Sequence, residues 1–198
     1  EGMEVYEQTR ADVDRAVGRI NGRFGRIDWT PVRYFFRALP FEELLAYYRM
    51  ADVMVVTPPR DGMNLVAKEF VACQVDDPGV LVLSRMAGAA ETMHEALLVN
   101  PFDLDGTAEA IHRALTMEPD ERASRIASLR RRERRDAQAV GDLPHQFVQS
   151  RRVRPTEVPD VIGLATVERT DDAVHDVADV GVVAGRASVT VLIDLLAI

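Results

Sequence analysis

The run Asp61-Gly62-Met63-Asn64-Leu65-Val66-Ala67-Lys68-Glu69 places two carboxylates eight positions apart around a glycine-containing loop. An apolar stretch, Asp52-Val53-Met54-Val55-Val56, precedes it, followed by the breaker Thr57-Pro58-Pro59-Arg60. Behind it the apolar spacing predicts a helix from Asn64 to Gln74. A strand, a tight loop and a helix start form an anion site, because unpaired backbone N–H groups and the positive end of the helix face one point. Asp61 stands just before that helix and Glu69 about two turns inside it. An anion site flanked by two hydroxyl acceptors is the chemistry of a nucleotide-sugar.

The elements around this run alternate. Residues 3 to about 21 read as an amphipathic helix with Val5, Val13, Val17 and Ile20 on one side and Asn21-Gly22 as its stop. Val32 to Arg37 is a predicted strand and Phe41 to Met50 a helix. Val53 to Val56 is a second strand; Val80 to Leu83, after the turn Asp77-Pro78-Gly79, is a third. Gly88-Ala89-Ala90 opens a predicted helix ending near Ala96, and Leu97 to Val99 is a short strand. Asp105 to Met117 reads as a helix with Asp105 as N-cap, and Pro119 begins an arginine-rich helix to about Ala139. Uniformly apolar strands alternating with helices predict an α/β fold, a Rossmann-like doubly wound parallel sheet covered on both faces. Ligands of such sheets sit beyond the carboxyl ends of the strands, which is where the Asp61 run falls.

Composition narrows the class. The formal net charge is −8 and 47% of residues are hydrophobic, with a pI near 5.1. A general nucleic-acid binder is usually basic, so no nucleic-acid partner is expected. No apolar run approaches the ~18 residues of a membrane span, so no membrane partner is expected either. The one cysteine, Cys73, excludes an intrachain disulfide and suggests a reducing, cytoplasmic setting. No signal-peptide pattern is present. The chain has no initiator methionine and opens directly into a helical pattern, so it reads as a piece of a longer one. Lys68 is the only lysine among 24 basic residues, a bias that fits GC-rich coding.

Asp52 to Glu69, with Phe70-Val71-Ala72 behind, resembles the donor-binding segment of the α,α-trehalose-phosphate synthases, retaining glycosyltransferases of family 20 with GT-B architecture. Gly18-Arg19-Ile20-Asn21-Gly22-Arg23-Phe24-Gly25 with Trp29-Thr30-Pro31 is similar to that family's preceding run. Leu81-Val82-Leu83-Ser84, Ala87-Gly88-Ala89-Ala90-Glu91 and Val99-Asn100-Pro101-Phe102-Asp103 are similar to its following strand, loop and turn. The resemblance covers residues 1 to about 135 and implies the C-terminal, donor-binding half. The glycine-rich loop, the acceptor site and the Arg/Lys pair that grips the diphosphate belong upstream in the family.

The resemblance implies donor-binding roles for Leu39 and for Asp61 to Glu69. Asp61 accepts from donor-glucose hydroxyls and Gly62 lets the backbone approach the sugar. The N–H groups of Met63 and Asn64 face the sugar; those of Leu65 and Val66 face the diphosphate. Glu69 accepts from the ribose hydroxyls, and Leu39 reads the base through its backbone. Ala67 and Lys68 complete the segment, Lys68 being read either as a contact or as a solvated helix residue. No protein nucleophile, metal or cofactor is implied. The implied reaction joins glucose from a nucleotide-sugar (UDP-, GDP- or ADP-glucose) to glucose 6-phosphate, giving trehalose 6-phosphate. A related GT-B enzyme of the glucosylglycerol-phosphate synthase type, or a non-catalytic regulatory module, is the alternative. Oligomeric state, a homo-oligomer included, stays open.

Other candidates read as structural. Cys73 is on the apolar face and reads as a core thiol, and the side chains of Met50, Met54 and Met63 as core filler. His94, His112, His145 and His175 lack metal-ligand spacing. Arg130-Arg131-Arg132 and Arg134-Arg135 read as a solvated helix face. Residues 1–140 are therefore expected to be the donor-binding domain. Residues 141–198 are an atypical tail without the family's tryptophan-containing C-terminal helix. Either a frame lost near residue 135 left it unselected and disordered, or it is a genuine extension. Only Val161 to Val167 and Ala187 to Ile198 are apolar enough there for strands or a short helix.

Overall fold

The structure, a computed structural model, describes residues 2–35, 40–76, 78–140, 182–185 and 188–192. Leu39 and Val161 to Val167 lie outside the described residues. In chain order the elements are α1 (Gly2–Phe24), β1 (Val32–Phe35), α2 (Phe41–Met50), β2 (Val53–Val56), α3 (Leu65–Cys73), β3 (Val80–Ser84), a 3-10 turn at Gly88–Glu91, β4 (Leu97–Val99), α4 (Leu104–Leu115), α5 (Pro119–Val140), β5 (Val182–Gly185) and β6 (Ser188–Leu192). No described helix is long and apolar enough to cross a membrane.

The sheet order is β1-β6-β5-β2-β3-β4. β2 pairs parallel to β3, with Val53 opposite Val80, and β3 parallel to β4. β1 runs parallel to β6. β5 is antiparallel to both β2 and β6, so the sheet is mixed rather than wholly parallel. The reversed strand is half of an antiparallel pair with β6, which needs no crossover, whereas β1 to β4 all point the same way. These two strands from the tail stand between β1 and β2.

Side-chain alternation explains why the β2–β4 strands are apolar throughout. Met54, Val56, Leu81 and Leu83 pack with Tyr48 of α2, Phe70 and Val71 of α3, and Ile126 and Leu129 of α5. Val53, Val55, Val80 and Val82 face the other way, with Ile20 of α1 and Ile111 and Ala114 of α4. Two cores therefore sandwich one sheet, the doubly wound arrangement that the alternation predicts. A fully buried side chain of the size of Phe70 contributes about 1.5–3 kcal/mol by leaving water.

Three local expectations need correction. α1 runs past Asn21-Gly22 to Phe24; Asn21 instead grips β1, its side chain donating to the Val32 carbonyl and accepting from Val32 N–H, both at 2.9 Å. The helix expected from Gly88 to Ala96 is only a 3-10 turn, since Ala90 N–H and Thr92 N–H reach back three residues, to Ala87 and Ala89, and Met93 is drawn fully into the core. The N-cap of α4 is Asp103, whose carboxylate accepts from Gly106 N–H at 3.0 Å; the Asn100-Pro101 turn hands the chain over two residues earlier than expected, with Asp103 N–H on the Asn100 carbonyl at 3.0 Å.

Candidate functional site

β2 and β3 are parallel neighbours, so the loops leaving their carboxyl ends must meet. They do so through a short backbone ladder. Gly88 N–H donates to the Asp61 carbonyl at 3.0 Å, Ala89 N–H to the Met63 carbonyl at 2.7 Å, and Asp61 N–H to the Met86 carbonyl at 3.4 Å. Asp61 and Ala87 form an isolated parallel bridge. The Asp61–Asn64 loop is thus fastened along its length to the loop behind it.

Asp61 also organises its own loop. Its Oδ1 accepts from Met63 N–H at 2.9 Å and from Asn64 N–H at 3.0 Å, and its Oδ2 from the Asn64 side-chain amide at 2.9 Å. A carboxylate offers about four acceptor positions, so three are used within the loop and one on Oδ2 is left. The N–H groups of Met63 and Asn64, expected to face a sugar, are turned toward Asp61 here.

Asn64 is the hinge between loop and helix. It has φ 71°, the one positive φ outside glycine among the described residues. Asparagine tolerates that region far better than branched residues. The twist lets its Oδ1 accept from Ala67 N–H at 2.8 Å, which caps α3. The expected helix start at Asn64 is therefore a cap, with Leu65 the first helical residue. The N–H groups of Leu65 and Val66 stand at the helix mouth, where no intrahelical acceptor exists. Met63 and Leu65 expose 55% and 61% of their surface, while Ala67, Phe70 and Val71 anchor the opposite face of α3 in the core. A Cβ on Gly62 meets nothing within 4 Å, so packing within the chain does not require glycine there, and the space beside it is open.

Glu69 is half-buried on α3. The hydroxyl of Tyr48, on α2, donates to its Oε2 at 3.1 Å. Lys68 turns to α5, its Nζ lying 3.1 Å from both carboxylate oxygens of Glu133. Its ammonium therefore fastens α3 to α5. α5 is also latched to the segment before β4. Arg125 donates to the Glu95 carbonyl and Arg132 to the Glu95 carboxylate, both at 2.9 Å. Burial pushes the Glu95 carboxyl up, but the Arg132 hydrogen bond and charge outweigh it and leave the group below its usual range. Arg132 thus departs from the solvated face expected of the arginine run, while Arg131, Arg134 and Arg135 are exposed. Cys73 is buried, and burial together with the Glu69 charge pushes its thiol up to about 12, as expected of an inert core thiol.

Asp61, Gly62, Met63, Asn64, Leu65 and Val66 thus stand at the start of α3 and Glu69 about one turn further along it, while Ala67 turns into the core and Lys68 to α5. Sequence reasoning missed Tyr48, Gln74 and Gly88. Gln74 is 1% exposed; its amide donates to the Tyr48 carbonyl and its Oε1 accepts from Gly79 N–H at 2.7 Å. The only available signal was a glutamine closing an apolar helix, a position that demands buried partners.

Residues 1–139 match the profile of the family described as glycosyltransferase family 20. The chain is 61% identical over 103 residues to a glucosylglycerol-phosphate synthase of Pseudomonas anguilliseptica, covering 51% of this chain and 14% of that protein. It is 48% identical over 131 residues to a trehalose-6-phosphate synthase of Mycolicibacterium smegmatis, covering 66% of this chain and 26% of that protein. The solved α,α-trehalose-phosphate synthase (UDP-forming) of Burkholderia xenovorans, in complex with glucose-6-phosphate, is similar with a TM-score of 0.65 and 49% identity, over 67% of this chain and 29% of that one. The chain thus spans about a quarter or less of the two curated relatives. The fold agrees with one Rossmann-like half of a GT-B glycosyltransferase.

Proposed function

The chain belongs to glycosyltransferase family 20, and from that premise we propose that its residues 1–140 are the donor-binding unit of a hexosyltransferase that moves glucose from a nucleotide-sugar, UDP-glucose in the first instance, to glucose 6-phosphate. The product is trehalose 6-phosphate and the setting cytoplasmic. One observation carries the reading: a loop fixed by Asp61 delivers the open mouth of α3, with Glu69 on the same helix.

Each end of the donor has a group suited to it. Asp61 keeps one acceptor position for a sugar hydroxyl after its three loop bonds. The open space beside Gly62 admits the hexose. Leu65 and Val66 N–H groups meet the diphosphate at the positive end of the helix. Glu69 takes the ribose hydroxyls, and Leu39 reads the base. The leaving diphosphate and the attacking hydroxyl share one face, so configuration is retained, and the protein contributes position and charge stabilisation rather than a nucleophile. Neither metal nor cofactor takes part.

One helix end favours an anion by about 0.3–2 kcal/mol. That alone gives weak binding, so this chain by itself is expected to hold a nucleotide-glucose less tightly than micromolar and to transfer nothing. A calorimetric titration with micromolar affinity contradicts this.

A second acceptor is raised by the 61% identity to a glucosylglycerol-phosphate synthase, because the acceptor site belongs upstream of the residues compared. Incubating the polypeptide that carries this chain with UDP-glucose and either glucose 6-phosphate or glycerol phosphate separates the two. Release of UDP with glucose 6-phosphate alone supports the first acceptor; release with glycerol phosphate alone replaces it. Transfer that survives Asp61→Asn combined with Glu69→Gln in a folded protein overturns the site itself.

A further inference from the structure

We propose that Tyr48 is a positioning residue for the site: it fixes the carboxylate of Glu69 so that this group can accept from a vicinal diol, the ribose of the donor. The proposal rests on the reading of Glu69 given above and deepens it.

Tyr48 belongs to α2, 21 residues from Glu69, and is 2% exposed. Its ring fills the core beneath α3, and a phenylalanine ring fills the same volume. Packing therefore accounts for the ring, and the hydroxyl that phenylalanine lacks makes a 3.1 Å bond to Glu69 Oε2. A close-packed tyrosine ring has almost no freedom, so the position of its hydroxyl is set by the core. The phenol thus gives one oxygen of the Glu69 carboxylate a fixed partner.

Tyr48 is itself held. The buried Gln74 side chain bridges the Tyr48 carbonyl and Gly79 N–H, tying the end of α2 to the segment between α3 and β3. Donor, acceptor and both supporting elements are locked together. A diol needs two acceptors in a set direction, and a carboxylate steered at one oxygen meets that need. The bland alternative is that Glu69 merely satisfies a buried phenol.

The two differ in what Tyr48→Phe does to ribose selectivity. Affinities of this chain for UDP-glucose and for its 2′,3′-dideoxyribose analogue are measured by ligand-observed NMR into the millimolar range, for the wild type, Tyr48→Phe and Glu69→Ala. The expected result is that the wild type prefers the ribose form, Glu69→Ala abolishes the preference, and Tyr48→Phe lowers it by about tenfold, or to none where it is smaller. Dideoxy affinity stays unchanged in Tyr48→Phe. A Tyr48→Phe chain that keeps the wild-type preference, or that loses both affinities equally, overturns the positioning role while Glu69 keeps its own. A wild type without preference, or a Glu69→Ala chain that retains it, removes the underlying reading of Glu69 and this role with it.

Discussion

The carbonyl of Gly62 occupies the space into which a Cβ at Gly88 would project. Its carbon lies 2.8 Å from that point, closer than a side-chain carbon can stand against backbone, and Met63 Cα lies at a tight 3.3 Å. The two loops touch main chain to main chain, which is how Gly88 and Ala89 N–H reach the Asp61 and Met63 carbonyls. Gly88 is thus needed for the close approach of another strand of backbone, whereas Gly62 has open space around it.

Gly88→Ala must therefore push the Asp61–Asn64 loop off its support. The expected cost is about 1–3 kcal/mol, read by chemical denaturation, with faster amide exchange at Gly88 and Ala89. Gly62→Ala leaves stability almost unchanged and lowers donor affinity. Equal stability losses for the two variants contradict this assignment.

Asn64 combines a left-handed backbone with a helix cap. Asn64→Ala loses the cap and keeps an unfavourable φ, so it is expected to cost about 2 kcal/mol or more. Asn64→Gly keeps the backbone comfortable and loses only the side-chain bonds, so it costs less. Thermal melts of the two variants give the order directly.

Lys68 and Glu133 form a half-buried pair, their side chains 26% and 10% exposed. Lys68→Met strands the Glu133 carboxylate and is expected to destabilise by about 3 kcal/mol, while adding Glu133→Leu recovers most of the loss. A double-mutant cycle by urea denaturation measures this coupling. Additive single losses leave no room for the pair as a fastener between α3 and α5.

Cys73 sets an alkaline limit. Its folded thiol is raised to about 12 from an ordinary 9.0, so the unfolded chain loses its proton first as pH rises. The stability due to the neutral thiol is complete below pH 9 and declines from there toward pH 12. Cys73→Ala should flatten that part of the stability profile. In the wild type, thiol alkylation at pH 8 should track unfolding, being slow in the native chain.

How legible the site was depends on the range of the interaction involved. β2, α2 and β4 fall at their expected bounds because local apolar runs and breakers define them. The carboxylates and the loop between them were visible for the same reason. Tyr48, Gln74 and Gly88 were not, since each acts on a residue brought near only by the parallel pairing of β2 with β3 or the docking of α2 on α3. Asn64 was visible only as the expected first residue of the helix; its role as a cap with a left-handed backbone was not. The β5–β6 pair is a topological event, since apolar composition at residues 187–198 could not say which strand they would join.

The chain's single lysine sits at the seam between two helices. Apart from the terminal amine, an amine-selective reagent has one address in this molecule. Its rate of attack there is expected to rise when the Lys68–Glu133 pair is broken, so the chain carries a reporter of that contact without an introduced label.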